Sequence, residues 1–362
     1  MKFSIAKDVF LDGLNQVVNA VSNQNTLPIL SNVQIQTEGG QIRFTATDLD
    51  VLITSVVPAN VITEGGITIP AKKLLNIIRE LPASEVEVEV NPRNEAVVSC
   101  NRSQFRLKGL PSEEFPQLPT FNNAVEYTVD QNVLREGIRR TEYAISSDTT
   151  RYVLNGILFA FKDGKLTLVA TDGRRLALVE NQISYPEGQE REAILPTKAV
   201  GELRRLLGEV GEVTIKLTQN QAAFEVNDTL IISKLIDGTY PNYRQVIPSE
   251  YKQRLELKCS EMLETIRRVS SLVDKNNNVK LTFSTDQLEV ASLSDDGEAH
   301  ETLSIDYKGP QLPISFNASF LMAPLKAVAT DSISFCLTDS MSPGVLRLGS
   351  EFLYVLMPMR SN

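Results

Sequence analysis

The sequence predicts an α+β fold built from three similar modules, each with two helices packed on β-sheet. Three observations carry that prediction. The stretch "FTATDLDVLI" (Phe44–Ile53) returns as "LVATDGRRLA" (Leu168–Ala177), so that Leu30, Asn32 and Asp48 meet Leu154, Gly156 and Asp172 at one constant offset. The segments before them also match, "KFSIAKDVFLDGLNQV" (from Lys2) with "EYTVDQNVLREGIRRT" (from Glu126), and "LELKCSEMLETIRRV" (from Leu255) is a fainter third copy. Within each copy the apolar spacing changes from the helical period to strand alternation. Repeats of this length are whole domains rather than solenoid units, and the ranges 1–122, 123–250 and 251–362 follow.

Taken in order, the first predicted helix is Lys7–Val21, with Phe10, Leu14, Val17, Val18 and Val21 on one face. Strands follow, with Val33, Ile35, Ile42 and Phe44 alternating and Glu38-Gly39-Gly40 turning the chain, as Lys162-Asp163-Gly164 does in the second copy. Pro70 opens a second helix, Lys72–Glu80, where a missing N–H costs little. The run "EVEVEV" (from Glu85) reads as a strand. The second copy predicts helices at Gln131–Tyr143, N-capped by Asp130, and at Lys198–Leu207 after Pro196. The third predicts Glu261–Val269, capped by Ser260, and Ala318–Ala329.

Composition narrows the function. With 42% apolar and 22% charged residues the chain reads as a globular protein of two or three domains. No apolar run is long enough to span a membrane, and the start lacks a signal peptide's apolar core. Cys100, Cys259 and Cys336 are odd in number and far apart, which disfavours a disulfide framework and points to a reducing, cytoplasmic setting. The formal charge is −9, yet the six predicted helices together are net positive. A basic helical surface would attract phosphates without reading sequence; solvated helix faces are the plainer reading of the same charges.

Catalytic and metal patterns are missing. His300 is the single histidine and reads as a solvated hairpin residue. There is no zinc-ligand spacing, no nucleophile elbow, no phosphate loop and no dinucleotide fingerprint. Asp295-Asp296-Gly297 reads as a plain turn. The sequence therefore calls for no cofactor and no metal. Asp48 and Asp172 each end a strand, and a residue kept in both copies points to a shared turn. The first copy reads "DLD" where the second reads "DGRR", so any special task belongs to the second. A phosphate-handling enzyme using Asp172, Arg174 and Arg175 is the rival reading, and the absent nucleotide and metal motifs weigh against it.

The whole chain resembles the bacterial sliding clamp family, the β subunits of DNA polymerase III. The resemblance rests on "MKF" at the start, "TLPIL" (Thr26–Leu30), "TIPAKK" (Thr68–Lys73), "RYVLNGILF" (Arg151–Phe159), "VATDGRRLA" (Val169–Ala177), "SKLIDGTYPNYRQVIP" (Ser233–Pro248) and "YVLMPMR" (Tyr354–Arg360). It implies a non-catalytic protein of three domains, two chains meeting head-to-tail in a ring around duplex DNA. The implied partners are the polymerase III α subunit, the clamp loader and other proteins carrying a clamp-binding peptide. By motif, the partner cleft would use Leu154, Thr171, Gly173, Arg174, Arg175, Leu176, Pro241, Val246, Asn317, Phe320, Val355, Leu356, Met357, Pro358, Met359 and Arg360. The DNA contacts would be Lys72, Lys73 and Tyr152, with Lys198, Arg204 and Arg205 following from the repeat. Phe105 and Leu107 would meet Leu272 of the second chain. Arg174 stands where relatives commonly carry His, and Gln245 and Gln24 stand where an Arg is familiar.

Overall fold

A computed structural model of the protein describes residues 1–22 and 27–359. Among them are six α-helices: α1 (Lys7–Val17), α2 (Ala71–Glu80), α3 (Gln131–Arg139), α4 (Thr197–Leu206), α5 (Cys259–Val269) and α6 (Ala318–Ala327). All six predicted helices are present, with shifted ends. α1 tightens into a 3-10 turn at Val18–Ala20, leaving Val18 only half-buried. α3 stops at Arg139, and the Thr141 hydroxyl donates to the Gly137 carbonyl, the local competition that closes helices. α6 ends at Ala327, where Val328 turns extended. Pro70 and Pro196 are the last residues of strands, and the helices begin one residue later.

The way the helices start exposes the repeat in three dimensions. The first N–H of α1 donates to Ser84 O, that of α3 to Gly211 O and that of α5 to Asp331 O, each time just before the strand that flanks the helix-bearing strand. α4 and α6 donate likewise to Asn155 O and Asn277 O. Backbone thus satisfies one of the N–H groups that a helix start leaves open. This corrects the expectation for Ser260: α5 is entered from Lys258 with no side-chain cap, and Ser260 lies in its first turn. Asp130 does act as expected, accepting from Asn132 N at 2.8 Å.

Helix glycines mark the same place in the first two copies. A Cβ on Gly13 would lie 2.7 Å from the Phe44 ring, and one on Gly137 would lie 2.6 Å from Leu168. The lost helix propensity is offset by close helix–sheet approach. Phe10 stacks on Phe44 with centroids 5.5 Å apart. The third copy has Thr265 there, fully buried, its hydroxyl donating to Glu301.

The chain forms two compact units, Met1–Asn132 with Lys198–Leu235, and Val133–Thr197 with Ile236–Asn362. These cut across the three sequence repeats because adjacent repeats share sheets. In the first unit one eight-stranded sheet is continuous from the first repeat into the second through the antiparallel pair Val51–Pro58 and Thr229–Lys234. A five-stranded sheet ending in strand Ser103–Lys108 completes that unit. In the second unit Arg175–Gln182 pairs with Phe352–Leu356 and joins the second repeat to the third in another eight-stranded sheet. A four-stranded sheet ends there in strand Gly297–Ser304, with exposed His300 opposite Ala291.

The two junctions are register-equivalent: Leu52 pairs with Ile232 as Leu176 pairs with Val355. At the first, Leu52, Ala223 and Ile232 are covered by Phe121 and Leu230. At the second, Leu176 and Val355 join a larger cluster with Leu154, Tyr240 and Tyr243.

Candidate binding cleft and basic surface

The charged stretch at Thr171–Arg175 is a turn whose parts are specified by its own residues. The Thr171 hydroxyl donates to Arg175 O at 2.6 Å and accepts from Gly173 N at 3.1 Å. Asp172 Oδ1 accepts from Arg174 N and Arg175 N at 2.9 and 3.0 Å. Gly173 supplies the positive φ of 85° that such a turn needs. The first copy repeats each bond: Thr47 Oγ1 to Val51 O, Leu49 N to Thr47 Oγ1, and Asp50 N and Val51 N to Asp48 Oδ1. There Leu49 bears the positive φ, 78°. The shared aspartate therefore serves the turn. Asp172 Oδ2 completes an ion pair with Arg175 Nε at 3.0 Å, so both carboxylate oxygens have partners, which removes the free base that the enzyme reading requires.

The predicted cleft residues fall on two faces of the second unit's eight-stranded sheet. Leu154, Leu176 and Val355 lie in the apolar cluster on one face. Arg175 and Ala177 alternate to the other, paired with Leu356 and Tyr354. On that side the Arg175 guanidinium carbon stands 4.1 Å from the centroid of the Phe320 ring on α6. Its side chain is only 14% exposed and paired with Asp172, so Arg175 is built into the packing of this face. Arg174, by contrast, is exposed. Asn317 is the N-cap of α6, accepting from Phe320 N at 3.1 Å and donating to Asn276 O.

The residues after strand Phe352–Leu356 link the eight-stranded sheet to the four-stranded one. Met357 N donates to Arg174 O at 3.0 Å, and two residues on Met359 N donates to Ser315 O at 2.8 Å. Pro358, between them, has no N–H to offer a ladder. Met357 also lines a surface pocket of about 420 Å³ with Val246, Gln245, Thr338, Ser342 and Pro343. Val246 is 39% exposed, Pro241 is exposed, and Met357, Pro358 and Met359 are half-buried. Thr338, Ser342 and Pro343 were missed from sequence, because only the fold brings that loop to Met357. Arg360 and Gln24 lie outside the described residues. A larger pocket, about 510 Å³, lies between Glu256 and Asp306, away from every predicted residue.

Burial sets the protonation of the hydroxyls behind the wall. Desolvation pushes Tyr354 well above the ordinary tyrosine value, with the Arg175 charge opposing it. Tyr143 and Tyr240 move the same way for the same reason. All three remain neutral across the physiological range.

The predicted DNA residues differ in exposure and in what surrounds them. Lys72 and Lys73 are exposed on α2, Arg204 is exposed on α4, and Tyr152 is 59% exposed. Lys198 Nζ donates to Asp48 Oδ2 and to Ala20 O. Arg205 is held by Glu202 and by the carbonyls of Asn15 and Gln16. These two therefore fasten α4 within the first unit. Phe105, 37% exposed, and Leu107 lie on Ser103–Lys108, an edge strand. Leu272, half-buried, packs near Gly297 at the start of another edge strand. Among the described residues no helix is long and apolar enough to cross a membrane.

Comparison with known proteins covers the chain from end to end. Residues 1–119, 128–242 and 244–360 match the models of the N-terminal, central and C-terminal domains of the DNA polymerase III beta subunit. The beta sliding clamp of Chlamydia muridarum is 34% identical over 362 residues, covering 99% of each chain. That of Escherichia coli K12 is 34% identical over 370 residues, covering 99% of this chain and 100% of the relative. Among solved structures, a sliding clamp from Pseudomonas aeruginosa bound to griselimycin superposes with a TM-score of 0.96 at 33% identity, with 100% of both chains covered. The clamp from Bacillus subtilis does so at 0.96 and 29% identity, again over 100% of both.

Proposed function

The chain belongs to the DNA polymerase III beta subunit family, the beta sliding clamps, and from that premise we infer which of its surfaces carry the family's work. It has the three-domain clamp fold and is a non-catalytic processivity factor that binds DNA and tethers the polymerase.

We propose domain ranges of 1–122, 123–250 and 251–362, and a cytoplasmic location. Two chains meet head-to-tail, the edge strand with Phe105 and Leu107 of one chain against the edge beside Leu272 of the other. Unlike open edges that complete one another close a ring. Lys72, Lys73, Arg204 and Tyr152 face the DNA, where positive charge meets the phosphates without sequence reading.

Partner peptides, from the polymerase α subunit, the clamp loader and other proteins with the same motif, dock in the cleft walled by Leu176, Val246, Phe320, Val355 and Met357. Arg174 offers a polar fixing point at its rim. The observation that carries this reading is the tail, pinned at Met357 to Arg174 and at Met359 to Ser315. It lays adaptable methionines across the surface from the Arg174 turn to strand Leu312–Asn317, and a few apolar anchors dominate such binding. The test removes Met357–Asn362. A fluorescent peptide with leucine and phenylalanine anchors should lose its affinity while light scattering still reports a dimer. Unchanged affinity in the truncated dimer refutes the cleft.

A further inference from the structure

Pro324 stands inside α6. It has no N–H, so the carbonyl four residues earlier, that of Phe320, is left without its helical donor. The Tyr354 hydroxyl fills the place, donating to Phe320 O at 2.8 Å. Tyr354 is fully buried on the strand Phe352–Leu356, whose next residues are the pinned tail. Phe320 is thereby held twice, its carbonyl by Tyr354 and its ring by the Arg175 guanidinium. An ordinary residue at 324 would satisfy that carbonyl within the helix, whatever the strand did. With proline there, the donor comes from the strand that leads into the tail, and the bond forms when that strand is in register with α6.

We infer that Tyr354 is a positioning residue of the partner cleft: its hydroxyl replaces the amide hydrogen that Pro324 lacks and so fixes the Phe320 wall relative to the Met357–Met359 wall. The inference rests on the cleft reading given above. Tyr354 touches no ligand in this account. It acts through Phe320 and, by way of the ring, through Arg175. An unpaired buried carbonyl is costly, and the least costly escape is a shift of α6 that spoils the fit of the two walls.

The experiment uses the full-length chain and a fluorescein-labelled hexapeptide with leucine and phenylalanine anchors, followed by anisotropy, with urea unfolding run on every variant. Tyr354→Phe should weaken binding about fivefold, the size expected when one buried hydrogen bond is lost. Pro324→Ala should bind like the parent. The double variant should also bind like the parent, because the alanine returns the helical N–H to Phe320 O. A merely space-filling role for Tyr354 could not be rescued in this way, and a merely stabilising one is excluded when Tyr354→Phe loses affinity while urea unfolding shows it folded under the binding conditions. Parent-like binding by Tyr354→Phe overturns the inference, and so does a loss that Pro324→Ala does not restore. Val246→Glu separates the two readings. If the parent binds the peptide and Val246→Glu does not, the cleft stands and the Tyr354 result judges the inference alone. If Val246→Glu binds as the parent does, the cleft reading falls and the inference falls with it.

Discussion

Asp48 and Asp172 show how one side chain does a common task and a private one. One oxygen of each organises its turn, and the other is free to differ: Asp48 takes Lys198 from α4, and Asp172 takes Arg175 from its own turn. Burial raises the Asp48 pKa, but the Lys198 ammonium and the N–H groups of Val51 and Asp50 outweigh it and hold the carboxyl below the ordinary aspartate value. A depressed carboxylate contributes stability that is complete above its unfolded pKa and is lost as pH falls through its folded one. Urea unfolding should therefore show the Asp48 contribution intact at pH 6 and disappearing below about pH 4. Asp48→Asn should flatten that part of the profile; an unaltered profile would remove Asp48 from the acid response. The turn was legible in the sequence because it occurs twice. Resemblance alone puts Arg175 in the expected cleft, and the Phe320 ring that its guanidinium stands over lies far along the chain, where no spacing announces it. Pro324 inside a helical pattern was the one local hint, a broken rule whose compensation comes from another element.

At the scale of elements, helix existence was readable from periodicity, while helix ends were not. The reason is physical. Five helices have their first N–H answered by a backbone carbonyl from a distant loop, and only α3 and α6 add a capping side chain, Asp130 and Asn317, so most starts carry no local mark. The basic helices divide in the same way. Charge reveals that α2 and α4 are positive; only packing reveals that Lys198 and Arg205 are spoken for. Reversal of Lys72 and Lys73 to Glu should weaken DNA contact and leave thermal unfolding unchanged, because exposed helix charges add little stability. Lys198→Glu should instead lower stability by about 1 kcal/mol, since it sets a carboxylate against Asp48. Thermal melts beside filter binding to short duplexes check both halves. Equal melting losses in the two sets would contradict the division.

Over the whole molecule, the repeat that can be read from sequence is not the unit that holds together. Val51–Pro58 and Thr229–Lys234 belong to different repeats yet exchange ladder hydrogen bonds, and Arg175–Gln182 and Phe352–Leu356 do the same. The periodic motif gave the three modules, but strand alternation says only that a face is buried, not which strand lies alongside. Amide exchange should report each joined pair with one common protection, as expected of a cooperative block. Residues 51–58 opening well before 229–234 would show that the repeats unfold separately. The same ladders bear on how such proteins can be recombined. A chimera cut at the linker near residue 122 would import four strands of a sheet and leave behind the four that complete it, so that each parent's junction must suit a stranger's edge. Exchange between relatives should tolerate cuts that keep both halves of a joined sheet from one parent, which makes the pair of neighbouring half-modules, and not the repeat, the portable piece.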